Sequence, residues 1–278
     1  MDLYYGLGAP ADPEKARLCA YTELGQKRAE DDYFLGGDIL MMVYANGRGV
    51  ARNLDLALRF ACDGNTMPDS GPRVQHLEEL KAKNSKDSDF DVCDDIPRPI
   101  MFHGIGADGA CDGRDDQVRS AKQDAIIAKW SAADKQAFAK LRKAADAFIA
   151  ARSEAETDRN GAGAVIIPAY ETAGLNDAFI AALAQFESGK LPSFTSADYA
   201  KADAELNASY RDALKAARQS KGTVTVEGIR ETERGWLAYL TAWVTFGRQK
   251  YPNVAADSWR TWLTQERTTQ LRDLPIPE

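Results

Sequence analysis

The sequence predicts an all-α protein: short helical-repeat hairpins followed by a helical-bundle domain, joined by a disulfide-closed irregular loop. Three observations predict this fold class. A glycine-rich turn pattern recurs about 40 residues apart near the N-terminus, and apolar residues recur at helical spacing over the C-terminal half. Between them lies a segment that is rich in prolines, glycines and aspartates and is bracketed by two cysteines. We therefore divide the 278 residues into 1–84, 85–116 and 117–278.

The composition excludes two classes of protein. With 44% apolar and 28% charged residues the chain resembles an ordinary globular protein, and no run approaches the ~18 apolar residues of a membrane-spanning helix. The formal net charge is −7, and lysines and arginines are spread evenly without an aromatic-interleaved basic patch. Both features argue against nucleic-acid binding.

The first region, residues 1–84, contains an internal repeat. Gly6-x-Gly8 recurs 41 positions later as Gly47-x-Gly49, and each copy leads into a helix of small and apolar residues. The motif Y-A-N-G-R-G-V-x-x-N-x-x-x-A at 44–57 resembles the Sel-type repeat, a relative of the tetratricopeptide repeat. That resemblance implies helical hairpins that support protein interactions and perform no chemistry. Only two copies are visible, fewer than the three or so that such arrays usually need.

The second region is strongly acidic, and Gly104, Gly106, Gly109 and Gly113 predict turns within it. Residues 87–116 hold nine aspartates against two arginines, so their net charge of −7 equals that of the whole chain. A concentrated charge of one sign selects partners of the other sign, and loops on a rigid scaffold often carry function. We predict that a protein target is bound by residues at and near the apolar tip of this loop, namely Met101, Phe102, His103, Ile105 and Asp108.

The cysteines predict two disulfides. There are four of them, all within the first 111 residues, and none has a His or Cys at metal-ligand spacing. We expect Cys19–Cys62 and Cys93–Cys111, the second stabilising the fold by about 3 kcal/mol through loop closure. Disulfides imply an oxidising compartment. Four reduced, buried cysteines are the alternative.

The N-terminus has neither a basic n-region nor an apolar h-region. Either the protein is cytosolic, or a signal segment has been removed. The cysteines favour the second case, so we expect a periplasmic or cell-envelope protein, with a removed lipid anchor also compatible.

The third region predicts long amphipathic helices. Ser131-x-x-Asp134 and Thr195-x-x-Asp198 fit capping boxes with Asp in place of Glu. Apolar stripes at i, i+3/i+4 and i+7 follow each box, and a third stripe begins at Ile229. The first stripe consists of Phe138, Leu141, Ala145, Phe148 and Ile149. Residues 138–152 align loosely with 229–243, at an offset of 91, which suggests an internal duplication.

Two motifs in this region define a family resemblance. The pattern A-D-x-x-L-N-x-x-Y at 202–210 is followed by R-x-W-L-x-Y at 234–239. The pair resembles the LprI-type lysozyme-inhibitor family, whose domain is a small helical unit exported from bacterial cells; Leu240 stands where the family has arginine. We interpret the motif as structural, an interhelical hydrogen-bond cluster capped by aromatic rings, with a binding site as the alternative. Its residues are Asp203, Leu206, Asn207, Tyr210, Arg234, Trp236, Leu237 and Tyr239.

Sharper chemical motifs fail on their context. Gly104-x-Gly106-x-x-Gly109 follows two prolines and no strand, so it does not fit a dinucleotide fingerprint. Asp87-x-Asp89-x-Asp91 would require Gly at position 92 and Glu at position 98 of an EF-hand, where Val and Arg stand. An irregular calcium site stays open; we predict no other metal and no cofactor. Neither of the two histidines neighbours a nucleophile signature, and we predict no enzymatic activity.

These observations lead to one function and one alternative. We expect an exported bacterial inhibitor that binds and blocks a basic lysozyme or another cell-wall-degrading enzyme. The target is either a host lysozyme or a secreted bacterial toxin, and in the second case the protein is an immunity protein. The alternative is a periplasmic adaptor that binds a protein complex through the helical repeats. A concave apolar groove formed by Leu40, Val43, Leu56 and Phe60 would favour the adaptor.

Overall fold

The computed structural model describes residues 1–24, 26, 34–63, 70–86, 89–95, 107–164 and 166–277. These residues form eleven α-helices and one short 3-10 helix and contain no strand, which confirms the all-α prediction. The chain divides into two compact units, Met1–Lys122 and Gln123–Glu278. Within the described ranges, no helix is long and apolar enough to cross a membrane.

Unit 1 is built around one buried helix. Its helices are α1 (Asp2–Tyr5), α2 (Pro13–Glu23), α3 (Gly36–Asn46), α4 (Leu54–Ala61) and α5 (Ser70–Ala82), and α6 (Ala107–Ile127) begins in this unit. Every residue of α3 is buried, because α2 and α4 pack against it. Its sequence, with Ile39 to Val43 apolar on all sides, is that of a helix without a solvent face.

The two copies of the glycine turn have the same backbone. All four glycines adopt positive φ, between 67° and 76°, which L side chains rarely adopt. Beyond the turn, the Asp12 amide donates to the Leu3 carbonyl (2.7 Å), and the Asn53 amide donates to the Tyr44 carbonyl (2.9 Å), again 41 positions apart. Asp12 and Asn53 then cap α2 and α4 with their side chains. The repeat is therefore visible in the geometry, while its assignment to the Sel-type family stays a prediction.

Unit 2 consists of five long helices. They are α7 (Ala132–Ala155), α8 (Ile166–Glu187), α9 (Ser196–Gln219), α10 (Val226–Lys250) and α11 (Ala256–Arg272), with the 3-10 helix Gly161–Ala164 before α8. Ser131 and Thr195 cap α7 and α9 as predicted: Ser131 Oγ accepts from the Asp134 amide, and Thr195 exchanges bonds with Asp198 in both directions. The most extensive contacts between helices of this unit are those of α7 with α10 and of α9 with α11.

The core of unit 2 is aromatic. Trp243 and Trp259 are fully buried, and their rings stack 6.0 Å apart at an interplanar angle of 13°. A Cβ on Gly247 would lie only 2.5 Å from the Trp259 ring, so this close approach of α10 and α11 requires glycine. Burial of several such rings is the main stabilising contribution in this unit.

Helices α7 and α10 run antiparallel. Phe138 meets Phe246 with ring centroids 6.0 Å apart, and ten residues later Phe148 stacks on Tyr239 at 5.2 Å. Phe148 and Tyr239 are also equivalent positions in the offset-91 alignment. A pair of equivalent residues facing one another is what a pseudo-two-fold axis produces, and this supports the duplication, which stays a prediction.

Candidate functional site

One of the two predicted disulfides is present. Cys93 and Cys111 are bonded, with their Cα atoms 5.7 Å apart, and both are buried in the core of unit 1. Cys19 and Cys62 carry free, exposed thiols, so the predicted second disulfide is wrong. The reason is geometric: α2 buries Ala16 and Ala20 and turns Cys19 outward, while Cys62 follows α4 on the surface.

The acidic segment is partly helical. Helix α6 begins at Ala107, so Gly109 and Gly113, which we expected in turns, lie inside a helix, and that expectation is wrong. Among the predicted target-binding residues, Asp108 lies in the first turn of α6. The other four, Met101, Phe102, His103 and Ile105, lie outside the described residues, so the predicted contacts with a target stay a prediction.

A buried ion pair ties the base of this segment to unit 1. Arg114 is only 6% exposed and contacts Asp91 and Asp115. Its Nη1 also donates to the Tyr5 hydroxyl (2.7 Å), and that hydroxyl donates to Asp91 Oδ2 (2.8 Å). Burial, together with the neighbouring Asp91, raises the pKa of Asp94. The two ends of the segment, around residues 91 and 114, are thus held together by charge as well as by the disulfide.

Further hydrogen bonds hold the residues on either side of Cys93. The Asn46 amide donates to the Phe90 carbonyl (2.7 Å), and its side-chain oxygen accepts from the Phe90 amide (2.9 Å). His76 Nδ1 lies 2.9 Å from Asp95.

The residues considered for a calcium site are not brought together in the described part of the chain. Asp89 pairs with Arg48, and Asp87 lies outside the described residues. The described residues contain no cluster of three acidic, His or Cys side chains that could bind a metal ion.

The family-motif residues separate into core and surface. Leu206 and Trp236 are buried in one apolar cluster, with Tyr210 packed against it. Asp203 and Asn207 are exposed and bond to each other along α9 (3.1 Å between Asn207 Nδ2 and Asp203 Oδ2), so the interhelical polar cluster we predicted is wrong. The remaining members are the exposed Arg234, the half-exposed Leu237 and the half-buried Tyr239.

An ionic network that the sequence did not reveal lies inside unit 2. Arg267 on α11 is fully buried and donates two bonds to Glu156 (2.7 and 2.8 Å) and one to Glu233 (3.0 Å). Arg152 joins Glu156 to Glu171. Burial raises the pKa of Glu233, and Arg267 opposes that rise. Burial alone would lower the pKa of Arg267, but its carboxylate partners raise it. The network connects α7, α8, α10 and α11.

A groove of about 300 Å³ opens beside this network. Its walls are mostly apolar and aromatic, and its polar groups come from α10 and α11. Glu266 is exposed to the solvent in the groove. Its apolar surroundings nevertheless raise the pKa of its carboxyl group to about 7, and a hydrogen bond from Trp262 partly opposes this rise. The lining residues are Phe148, Ile149, Leu175, Ala178, Phe179, Ala182, Tyr239, Trp262, Glu266, Thr269 and Gln270.

The groove is suited to binding. Glycoside hydrolysis uses a pair of carboxylates, and Glu266 is the single carboxylate among the described lining residues. A mostly apolar concave site with a few converging polar groups is the common form of a ligand site. Trp262, Glu266 and Gln270 follow at i, i+4 spacing, which places them on one face of α11. That spacing was the available sequence signal for the site.

The comparisons with known proteins concern this same unit. Residues 184–271 match a family model described as "Lysozyme inhibitor LprI". The match runs from the end of α8 through α11, and it includes the α9 and α10 motifs as well as Tyr239, Trp262 and Glu266 of the groove. Neither a curated protein nor a solved structure matches the chain. The C-terminal helices are therefore similar to the LprI lysozyme-inhibitor family, as the two motifs predicted.

Proposed function

We propose that this protein is an exported inhibitor that binds and blocks a lysozyme or another cell-wall-degrading enzyme. The observation that carries the proposal is the match of residues 184–271 to the lysozyme-inhibitor family. The groove with its single carboxylate supports binding over catalysis. The Cys93–Cys111 disulfide supports export, because disulfides persist in oxidising compartments.

The acidic segment supplies a first contact surface for a basic enzyme. Its net charge of −7 would steer a positively charged partner towards it. The disulfide and the pairing of Arg114 with Asp91 fix its base, which lowers the ordering cost on binding. We propose that Met101, Phe102, His103, Ile105 and Asp108 enter the cleft of the enzyme. The role of an immunity protein against a secreted toxin follows if the target is a bacterial enzyme.

The adaptor alternative lacks the surface on which it depended. Leu40 and Val43 are fully buried and Phe60 is 6% exposed, all in the core of unit 1, with Leu56 half-buried beside them. These residues stabilise the helical hairpins and offer no groove to a partner. The lysozyme-inhibitor function is therefore the better supported one.

The direct test is inhibition of cell-wall lysis. The full chain is titrated into a turbidity assay with a basic c-type lysozyme, and separately with a bacterial muramidase, at low and high salt. We expect stoichiometric loss of lytic activity with one enzyme, weakened by salt because charge steers the encounter. Undiminished lysis at a large molar excess of the protein, with both enzymes, would overturn the proposal.

A further inference from the structure

Glu266 is a carboxylate without a cation. In the part of the chain that the structure describes, Glu266 forms no ion pair with Lys, Arg or His, and a hydrogen bond from the Trp262 side chain lowers its pKa. Two buried or half-buried arginines on the surrounding helices already have carboxylate partners. Arg267 is held by Glu156 and Glu233, and Arg142 on α7 is held by Asp146. The groove thus contains one uncompensated acceptor of positive charge.

A second acceptor lies one turn further along α11. Gln270 Oε1 is buried and has no hydrogen-bond partner among the described residues. A buried acceptor left without a donor costs roughly 1–3 kcal/mol, so a ligand that brings a donor recovers this energy. Glu266 and Gln270 are four residues apart on one helix and both line the groove, so a rotation of the Gln270 side chain would turn its Oε1 towards a ligand bound at Glu266.

The walls suit an aliphatic stem with a cationic head. Aromatic rings from three helices, Phe148, Tyr239 and Trp262, line the groove, and a cation within about 6 Å of such a ring is attracted to its face. The volume of about 300 Å³ is at the lower end of small-ligand sites. This combination selects a slender, positively charged group with several N–H donors over a neutral or anionic one.

We propose that the groove receives the side chain of an arginine or lysine from the target enzyme, with Glu266 and Gln270 as acceptors and Tyr239 and Trp262 as walls. The identity of this partner rests on the proposed function, since a basic cell-wall-degrading enzyme presents such side chains. The location of the groove agrees with an enzyme as the partner, because Glu266, Gln270, Tyr239 and Trp262 all lie within the residues that match the inhibitor family.

Small probes test the groove without an enzyme. Butylguanidinium and butylammonium are titrated into the full chain by calorimetry, with butylurea as the neutral control of the same shape. We expect saturable binding of at least one cation and none of butylurea. Glu266→Gln weakens cation binding at least tenfold, whereas Glu231→Gln, which changes an exposed carboxylate on α10, leaves it unchanged. Equal binding by both variants, or no saturable binding, overturns the groove as a cation site.

Lysis assays then separate this inference from the proposed function. We expect Glu266→Gln, and Ala182→Leu, which fills the groove, each to weaken inhibition about tenfold, with Glu231→Gln unaffected. Normal inhibition by both groove variants would overturn the groove as a contact with the enzyme, while the proposed inhibitor function would stand. Cation binding without inhibition of any enzyme would overturn the proposed function and leave the cation site. Circular dichroism of each variant verifies that the helices are intact.

Discussion

Glu266 makes the stability of unit 2 depend on pH. Its folded-state pKa of about 7 lies above the ordinary value of roughly 4.3 for glutamate, so the folded state holds this proton more tightly than the unfolded state does. Stability is therefore lost as pH rises from about 4.5 to 7. We expect Glu266→Gln to raise the free energy of unfolding by about 1 kcal/mol at pH 8, a value discounted for the exposure of the carboxyl group.

Urea unfolding of Glu266→Gln and the parent at pH 4 and pH 8 checks this expectation. At pH 4 the carboxyl is protonated in the folded state and mostly protonated in the unfolded state, so the two proteins should unfold with nearly equal free energies. Glu231→Gln is the control and should follow the parent at both pH values. A gain for Glu266→Gln that is as large at pH 4 as at pH 8 would contradict the assignment to ionisation.

Phe102 is the aromatic residue among the proposed target contacts of the acidic segment. If it fills a pocket in the enzyme cleft, Phe102→Ala should weaken inhibition about 30-fold, equivalent to ~2 kcal/mol. The matched control is Tyr170→Ala, which removes a 39%-exposed aromatic ring from α8. Inhibition constants from the lysis assay decide the matter, and equal values for Phe102→Ala and the parent would remove this contact from the proposal.

Two adjacent residues show what the sequence could not reveal. Glu266 and Arg267 read as an ordinary charged pair on a helix, yet Glu266 opens into a groove while Arg267 is fully buried. The difference depends on Glu156, which is 111 positions away and meets Arg267 only after α7 and α11 have packed. Local spacing places a residue on a face of its helix, but it does not identify the partner of that face.

At the scale of elements, the ionic network is what α11 contributes to the bundle besides its aromatic rings. Arg267→Ala would leave Glu156, which is fully buried, without its main partner. Breaking a buried pair in this way costs roughly 3–5 kcal/mol. We expect a loss of that order in the free energy of unfolding measured with urea.

Two further variants serve as comparisons for Arg267→Ala. Arg260→Ala, on the same helix, removes a partly exposed pair with Asp257 and should cost less than ~1 kcal/mol. Replacing both members of the fully buried pair, with Arg267→Met and Glu156→Gln together, should recover part of the loss, because the Glu156 side chain then carries no uncompensated charge, although Glu233 still lacks Arg267 in this variant. A loss for Arg267→Ala no larger than that for Arg260→Ala would show that the network adds little.

Helix prediction succeeded where one face of a helix repeats regularly. On α7, the predicted stripe of Phe138, Leu141, Ala145, Phe148 and Ile149 is buried, and Ser131 caps the helix as expected. It failed at α6, where Gly109 and Gly113 suggested turns. A glycine costs only about 1 kcal/mol within a helix, and the bonds of Cys111 to Cys93 and of Arg114 to Asp91 offset that cost. Those bonds form with residues about 20 positions earlier in the chain, so helical periodicity does not reveal them.

At the scale of the whole molecule, each unit has its own apolar core. Cys93 and Cys111 belong to the core of unit 1, and the aromatic cluster around Trp243 belongs to unit 2. The family match lies within unit 2, whereas the ends of the acidic segment lie within unit 1, so the two proposed contact surfaces belong to different units. The two units are separable by experiment because the fluorescent reporters are unevenly distributed. All five tryptophans, at positions 130, 236, 243, 259 and 262, lie in unit 2.

Reduction of the disulfide should therefore affect one signal more than the other. The bond spans 18 positions, and its loss should destabilise unit 1 by about 3 kcal/mol on the loop-closure estimate. Thermal unfolding is followed with and without reductant, by tryptophan emission for unit 2 and by far-ultraviolet circular dichroism for all helices. Unfolding of unit 1 changes the circular dichroism without changing the tryptophan emission. We expect this part of the dichroism change to move to lower temperature when the disulfide is reduced. Cys93→Ala with Cys111→Ala should reproduce this shift without reductant, and Cys19→Ala, at a free thiol, should not. An equal shift of the emission transition would mean that the disulfide stabilises unit 2 as strongly as unit 1.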